Sequence, residues 1–244
     1  MLMDLHAHSS GISRCCLLPY SAIIDEAKAM GIDGLVLTNH YTKEYLDGRA
    51  PAVLAHEYAE EYRLAKAYGD AVGVTVLFGI EISAAKHDYF HLLFYGVEED
   101  FIEAYPEIYD LTQEELYRLA EEKGALLIQA HPFRGSTHPL DPAYLHGMEI
   151  NCHPIYGTSR YDDVAEIAVD HGLLLTCGGD YHADAYRPLC GVMVPDTVKT
   201  SRALVEHLKA TDSLTIRMQE PENGDCYDVV YRRFDGTLTK VDTV

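Results

Sequence analysis

Short, nearly continuous apolar runs alternate with amphipathic segments along the first 210 residues. The runs at 34–39, 74–80, 125–130 and 173–179 have the length and composition of strands buried on both faces, as in parallel sheets. Between them, helical periodicity and end signals predict helices at 22–30, 54–68, 161–171 and 201–210, and one more between Thr112 and Gly124. This alternation predicts an α/β fold with a parallel sheet.

Residues able to bind a metal follow most of these runs. His6 and His8 end the first run and project from the same face of a strand, with Asp4 just before them. The later runs lead to the same kind of residue, namely His40, Glu81, His131 and the pair Asp180 and His182. Because catalytic groups of βα barrels come from the carboxyl ends of several strands, we expect these side chains to meet in one metal site.

Five short motifs occur along the chain in an order that is found in a known family. They are Asp-Leu-His-Ala-His-Ser at 4–9, Thr-Asn-His at 38–40, Gly-Ile-Glu at 79–81, Ala-His-Pro-Phe at 130–133 and Gly-Asp-Tyr-His at 179–182. As a set, they resemble the motifs of the PHP (polymerase and histidinol phosphatase) superfamily over roughly residues 1 to 210. That resemblance implies a distorted (β/α)7 TIM-like barrel with two or three divalent ions, which hydrolyses phosphoesters.

The resemblance also implies a ligand set. One ion would be held by His6, His8, Glu81 and Asp180, a second by Glu81, His91 and His131, and a third by His40 and His182. Mixed histidine and carboxylate ligands suit Zn, Mn and Fe alike. Asp4 and Asn151 are expected to orient ligands without touching the ions themselves.

Two departures from the family pattern concern the third ion. Where trinuclear members usually supply another ligand, this chain has Arg14, Cys15 and Cys16, and Asn39 stands where many relatives have aspartate. A cysteine thiolate could replace the missing ligand, since thiolates bind zinc well. Alternatively, the Arg14 guanidinium could stand in for the ion and bind the substrate phosphate. We therefore expect two ions and leave the third open.

The chemistry expected of such a site is attack by a metal-bridging hydroxide on phosphorus. Asp180, His182 and His40 are the candidate catalytic residues, and either histidine could protonate the leaving oxygen if the third ion is absent. Arg14, Arg134 and Arg187 are candidate phosphate ligands, and Arg160 is a weaker one.

Charge and cysteine usage limit the partners. The chain has 19 Lys and Arg against 39 Asp and Glu, a net charge of −20, which disfavours a long nucleic acid as partner. Bound cations would still admit a small phosphorylated substrate. No apolar run is long enough for a signal peptide or a membrane span. Six cysteines without a Cys-x-x-Cys pair favour a reducing cytoplasm.

The pattern of apolar and polar residues changes at about residue 213. Alternating runs at 214–218, 227–231 and 237–241, separated by turn residues, predict antiparallel hairpins. We expect a barrel over 1–212 and a β-rich extension of the same domain over 213–244. The extension would cover the barrel or form an oligomer edge, and the pattern does not decide between them.

The favoured function is a metal-dependent phosphoric ester hydrolase acting on a small metabolite, either a phosphomonoesterase like histidinol phosphatase or a nucleotide phosphatase or phosphodiesterase. The alternatives are a nuclease-type phosphodiesterase, a non-catalytic metal-binding module and a carbon–nitrogen hydrolase on a related metal barrel. The acidic composition disfavours the nuclease, and the nearly full ligand set disfavours the non-catalytic metal-binding module.

Overall fold

Strands and helices alternate along most of the chain in the computed structural model, which describes residues 1–83, 90–135, 137–153, 161–183, 187–220, 224–233 and 236–241. The strands are β1 Leu2–Ala7, β2 Gly34–Leu37, β3 His40–Tyr41, β4 Thr75–Ser83, β5 His91–Tyr95, β6 Leu126–Gln129, β7 Gly147–Asn151, β8 Leu174–Gly178, β9 Gly191–Met193, β10 Ser213–Gln219, β11 Cys226–Arg232 and β12 Thr237–Val241. The helices are α1 Tyr20–Ala29, α2 Pro51–Val72, α3 Asp100–Ala104, α4 Gln113–Lys123, α5 Tyr161–Asp170 and α6 Ser201–Ala210. The expected α/β class is confirmed.

The strands form one curled sheet in the order β12-β11-β10-β9-β1-β2-β4-β5-β6-β7-β8, and β3 pairs with β4. The regular ladder is open. In the described part of the chain, β1 pairs with the segment that follows β8 through an isolated bridge between Ala7 and Tyr181 and through the Asp180 N–H, which donates to the His6 carbonyl at 2.9 Å. We call this junction the seam.

Two strands correct the expectation of a parallel sheet. β5 runs antiparallel to both β4 and β6, and β9 runs antiparallel to β1. In the β4–β5 pair, Ser83 lies opposite His91 and Glu81 opposite Leu93. The reversal therefore places the first residue of β5 beside the carboxyl end of β4, at the edge of the sheet where the other ligand-type residues lie.

The helices follow the sequence pattern with small changes at their ends. Helix α2 begins at Pro51, before the predicted 54, and continues to Val72 before Gly73 ends it with a φ of 83°. Helix α4 has the predicted capping box, in which Thr112 and Glu115 bind each other's backbone N–H. The five-residue helix α3 was not predicted.

The C-terminal hairpins are confirmed, since β10 pairs antiparallel with β11 and β11 with β12. Because β10 also pairs with β9, these strands continue the main sheet beyond β1. The division at residue 213 and an oligomer contact through these strands stay predictions. No helix among the described residues is both long and apolar enough to cross a membrane.

Candidate metal centre

Glu81, the central carboxylate, is fully buried and surrounded by imidazoles. Its Oε1 lies 2.8 Å from Nδ1 of His91 and 3.1 Å from Nε2 of His131. Its Oε2 lies 2.7 Å from Nδ1 of His40. The reversed strand β5 brings His91 to this carboxylate, while the other groups come from the ends of β4, β6 and the β2–β3 segment.

A second cluster joins the two sides of the seam. Nε2 of His8 lies 3.0 Å from Oδ1 of Asp180, and Nε2 of His6 lies 3.3 Å from the same oxygen. Both nitrogens also approach Glu81, at 3.4 Å from His6 and 3.3 Å from His8. Four buried side chains, far apart in sequence, thus direct one donor atom each towards a common point.

Hydrogen bonds around Ser13 fix which nitrogen of His8 carries its proton. The Ser13 hydroxyl donates to Oδ1 of Asn39 at 2.8 Å and accepts the backbone N–H of His40 at 3.0 Å. The Asn39 amide must be oriented with its oxygen at this position, because the same atom also accepts the Ser9 backbone N–H. The Ser13 oxygen can therefore only accept from Nδ1 of His8 at 3.0 Å, which leaves Nε2 as a lone pair.

The same reasoning applies to His6 and His182. Nδ1 of His6 lies 2.9 Å from the Glu149 carboxylate and donates to it. Nδ1 of His182 lies 2.7 Å from the backbone carbonyl of Asp180, which can only accept. In each ring Nε2 is left free to bind a cation, the arrangement found in carboxylate–histidine–metal sites.

Nε2 of His6 and Nε2 of His8 each face an oxygen of Asp180, and a proton or a metal ion between the two atoms would make the contact attractive. Moreover, among the buried atoms of the described residues, His40 Nδ1, His91 Nδ1, His6 Nε2 and Glu81 Oε2 have no partner with hydrogen-bond geometry, although short N···O distances surround them. Metal–ligand bonds of about 2.1 Å place ligand atoms about 3.0 to 3.4 Å apart. The donor set and its spacing therefore fit divalent ions.

A third group of donors lies beside the first two. His8, His40 and His182 each offer a nitrogen within 4.8 Å of the others. The Cys15 thiol, which is hydrogen-bonded to His182 and His40, lies next to them. Burial opposes its ionisation, but these two contacts lower its pKa to about 6. Of the two sequence hypotheses for the third ion, the structure brings Cys15, and not Arg14, to this place.

The two carboxylates are held in their ionised form. Burial raises the pKa of Glu81, but the imidazoles of His40, His91 and His6 together lower it well below its usual value. Burial likewise opposes ionisation of Asp180, and the neighbouring imidazoles, His6 first, bring the pKa of this carboxyl well below normal. The site therefore combines ionised carboxylates with imidazoles, a donor set that suits divalent cations.

The imidazoles differ from one another. Burial would lower the pKa of His6, but Glu149 and the other carboxylates raise it well above normal. Burial also opposes the charged form of His40, while the central carboxylate raises the pKa of His40 to about 10. Burial and the nearby rings of His182 and His40 lower the pKa of His8 well below normal. His8 is thus the most readily deprotonated of these three ligands.

Asp4 holds the backbone beside the cluster, and its role in orienting ligands stays a prediction. It accepts the backbone N–H of His6 at 3.1 Å and that of Gly179 at 2.9 Å. Burial raises its pKa, and the Arg187 guanidinium, 2.9 Å away, opposes this rise. Arg187 also donates to the Ile23 carbonyl and is only 4% exposed. Arg187 therefore holds Asp4 in this structure, and its contact with substrate stays a prediction.

The other predicted residues are placed as follows. Arg134 donates from Nη1 to Oδ2 of Asp180 at 2.7 Å, at the edge of the cluster. Arg14 lies at the surface, where its guanidinium binds Asp47 and stacks over Tyr45. This placement does not support the predicted phosphate contact of Arg14, because surface partners engage the group. Arg160 lies outside the described residues.

Glu149 was missed by the sequence analysis. It lies on β7, is 1% exposed, and binds His6 through Oε1. Its Oε2 accepts the backbone N–H of His131 at 3.0 Å and the side-chain amide of Asn151 at 3.2 Å. Asn151, predicted to orient a ligand, therefore acts through Glu149. A carboxylate inside the otherwise apolar run at 147–150, two residues before Asn151, was the available signal.

Backbone strain is concentrated at the ligands. His131 and Asp180 have positive φ values of 30° and 48°, which non-glycine residues rarely adopt. Gly178 provides room, since a Cβ there would lie 2.4 Å from Cβ of His6 and 2.7 Å from Oε1 of Glu149. Any side chain at 178 would separate the imidazole from the carboxylate that orients it.

Solved structures with the same fold include PsfC from Pseudomonas syringae, with a TM-score of 0.60 and 21% identity over 84% of this chain and 86% of that one. A two-domain protein from Bacteroides vulgatus, containing a predicted PHP-like metal-dependent phosphoesterase, has a TM-score of 0.56 and 16% identity over 93% of this chain. An amidohydrolase from Chromobacterium violaceum, with bound sulfate and no metal, has a TM-score of 0.52 and 16% identity over 91% of this chain and 99% of that one.

This chain spans 64% of the length of the Bacteroides protein. No family model and no curated protein sequence matches it. At these identities the likeness establishes the fold alone, which this chain shares with proteins that include a predicted PHP-like metal-dependent phosphoesterase and an amidohydrolase.

Proposed function

We propose that this chain belongs to the PHP superfamily and is a metal-dependent phosphoesterase that hydrolyses a small phosphorylated metabolite. One observation carries the proposal. Imidazole lone pairs with fixed tautomers and two ionised carboxylates converge on shared points at one edge of a sheet with the PHP fold. Buried ionisable groups are costly in a packed core unless they are paired or bind a metal, and the spacing of these donor atoms fits metal binding.

Some residues of the centre would bind the ions, and others orient those ligands. His6, His8 and Asp180 would hold one ion, and His91 and His131 a second, with Glu81 shared between them. Such ions, when bound, polarise a phosphoryl oxygen and lower the pKa of a bound water. Glu149 and Ser13 keep His6 and His8 in the tautomer that binds, and the strained backbone at 131 and 180 fixes the direction of two ligands.

The substrate phosphate would be bound by cations at the edge of the site. Arg134 lies 2.7 Å from Asp180 and presents a guanidinium fork suited to a phosphate. We assign it as the phosphate ligand, turned towards Asp180 when no substrate is bound. The net charge of −20 makes a long polyanion a poor ligand, so the substrate is a small phosphorylated molecule.

His182 is assigned as the group that protonates the leaving oxygen. Its Nδ1 donates to the backbone carbonyl of Asp180, and burial lowers its pKa while contacts with Cys15 and Asp180 raise it above the normal value. With Nδ1 held in this way, Nε2 is the nitrogen that would donate the proton. If His40, His182 and Cys15 held a third ion, His182 would serve as a ligand instead of as the acid.

The test is a hydrolysis screen on protein loaded separately with Zn²⁺, Mn²⁺ and Fe²⁺, combined with elemental analysis. Substrates are phosphate monoesters, diesters and bisphosphates, with simple amides included because one structural neighbour is named an amidohydrolase. Glu81→Gln serves as the inactive control, and His56→Asn, which alters an exposed histidine paired with Glu103, as the neutral one.

We expect phosphate release from small phosphoesters that Glu81→Gln abolishes and His56→Asn preserves. Release from monoesters alone defines a phosphomonoesterase, and release from diesters defines a phosphodiesterase. Amide hydrolysis without phosphate release would overturn the proposal in favour of a carbon–nitrogen hydrolase. A protein that retains no metal and cleaves nothing would be a non-catalytic module.

A further inference from the structure

Three cysteines outside the metal centre converge on one point. Cys152 follows β7, Cys177 lies in β8 and Cys190 precedes β9, and all three are at most 1% exposed. Their sulfur atoms lie within 4.8 Å of one another, and those of Cys152 and Cys177 are 3.6 Å apart. Buried cysteines often serve as small apolar residues, but three from separate segments meeting sulfur to sulfur form a distinct cluster.

This cluster, the thiol site, lies behind the wall of the metal centre. A side chain at Gly178 would point at His6 and Glu149, so the preceding residue, Cys177, projects from the opposite face of β8. There its thiol donates to the carbonyl of Arg217 on β10 at 3.5 Å. The sheet therefore separates the thiol site from the ligands of the metal centre.

The sulfur spacing matches metal coordination better than a disulfide. Zinc–sulfur bonds of about 2.3 Å in a tetrahedral site place sulfur atoms about 3.8 Å apart, close to the 3.6 Å found between Cys152 and Cys177. A disulfide requires about 2.05 Å and would leave the third thiol without a role. We propose that Cys152, Cys177 and Cys190 form a second metal site for a thiophilic ion of the Zn²⁺ class.

The surroundings suit a structural site. The Tyr161 hydroxyl, at the start of α5, donates to the Gln219 carbonyl at 3.5 Å and also contacts Cys152, so its oxygen is the candidate for the fourth position. Binding would release three thiol protons to solvent, and the 2+ charge would offset most of the thiolate charge. A closed site with no open position holds segments together instead of catalysing a reaction. Here it would tie β7 and β8 to the segment that leads into β9.

The test uses the full chain with Cys15→Ser, which removes the one thiol beside the metal centre. Zinc-edge X-ray absorption on this protein should show a sulfur shell at about 2.3 Å besides the nitrogen and oxygen shell of the centre. Further variants Cys152→Ser, Cys177→Ser and Cys190→Ser should each lose one zinc equivalent and this shell. Cys226→Ser, at a half-buried cysteine outside the cluster, should change neither.

The absorption experiment does not depend on whether the serine variants fold. Absence of a sulfur shell from zinc-saturated Cys15→Ser protein would overturn the proposal, as would a Cys152–Cys177 disulfide found by mass spectrometry in protein purified under reducing conditions. Loss of the shell in Cys226→Ser alone would overturn it too. None of these outcomes depends on phosphoester hydrolysis, so the thiol site and the proposed activity stand or fall separately.

Discussion

Glu149→Gln tests the reasoning about tautomers at the metal centre. The carboxylate accepts from Nδ1 of His6 with one oxygen and from the His131 N–H and Asn151 amide with the other. Glutamine has nearly the same shape but replaces one acceptor by a donor. The glutamine side chain must therefore place its NH₂ group against either Nδ1 of His6 or the backbone N–H of His131. In the first case, Nδ1 of His6 becomes the acceptor, the proton moves to Nε2, and Nε2 can no longer bind the ion.

The structure sets the size of the effect. Glu149 is buried, so the lost contact is a charge-assisted hydrogen bond without access to water, which contributes about 1.5 to 3 kcal/mol. At about 1.4 kcal/mol for each factor of ten, metal affinity should fall about 10- to 100-fold. Phosphoester hydrolysis at limiting metal should fall in parallel, and saturating metal should restore part of it.

Metal affinity is measured on chelator-treated protein by competition with a chromophoric chelator, with circular dichroism as a check on folding. The matched control is Glu121→Gln, because Glu121 also binds a histidine, Nε2 of His146 at 2.7 Å, but at the surface. Equal metal affinities for Glu149→Gln and the control would refute the assignment of Glu149.

Three further predictions follow from the same geometry. His182→Asn should reduce turnover of alkyl phosphates about 10²-fold or more and that of aryl phosphates much less, since aryl leaving groups need no proton; equal losses would reject the acid role. Arg187→Met should leave Asp4 buried without its partner and reduce the free energy of unfolding by about 3 to 5 kcal/mol in denaturant titrations, with Asp4→Asn restoring part of it; unchanged stability would contradict the buried pair. In metal-free protein, burial opposes the charge on His40 but Glu81 raises its pKa from 6.5 to about 10, so this contribution to stability is complete below pH 6.5 and is lost as the pH rises towards 10. Melting temperatures across that range should fall, and His40→Asn should flatten the decline, whereas a parallel decline in both proteins would refute the pairing.

The convergence of most candidate ligands could be predicted from the sequence because they follow apolar runs, and strand ends meet at one edge of a sheet, whereas His91, which begins a run, came from the family resemblance alone. Asp180, for example, needs only its place after the run at 173–179. The orientation of the ligands could not be predicted in this way. Glu149 acts across strands, through contacts 143 and 18 residues away in sequence. Apolar periodicity carries no information about such pairings.

Strand direction and arginine placement also lay beyond the sequence pattern. An apolar run is the same whether a strand is parallel or reversed, so the run that begins at His91 carries no sign of the reversed direction of β5. Arg14 and Arg187 are alike in the sequence as loop arginines, yet one pairs with Asp47 at the surface and the other with buried Asp4. Which carboxylate each arginine meets depends on tertiary packing.

At the open seam, bound metal ions would stabilise the fold by linking its two sides. Among the described residues, backbone pairing between β1 and the segment after β8 is limited to the Ala7–Tyr181 bridge and the bond from Asp180 to His6, whereas the side chains of His8 and Asp180 approach each other directly across the same gap. An ion held by both residues would cross-link the first and the last strand of the barrel-like region, and would close a loop of about 170 residues. Hydrogen exchange at the two margins of the gap should therefore slow on metal loading far more than exchange within the β4–β5 hairpin, which backbone pairing already secures.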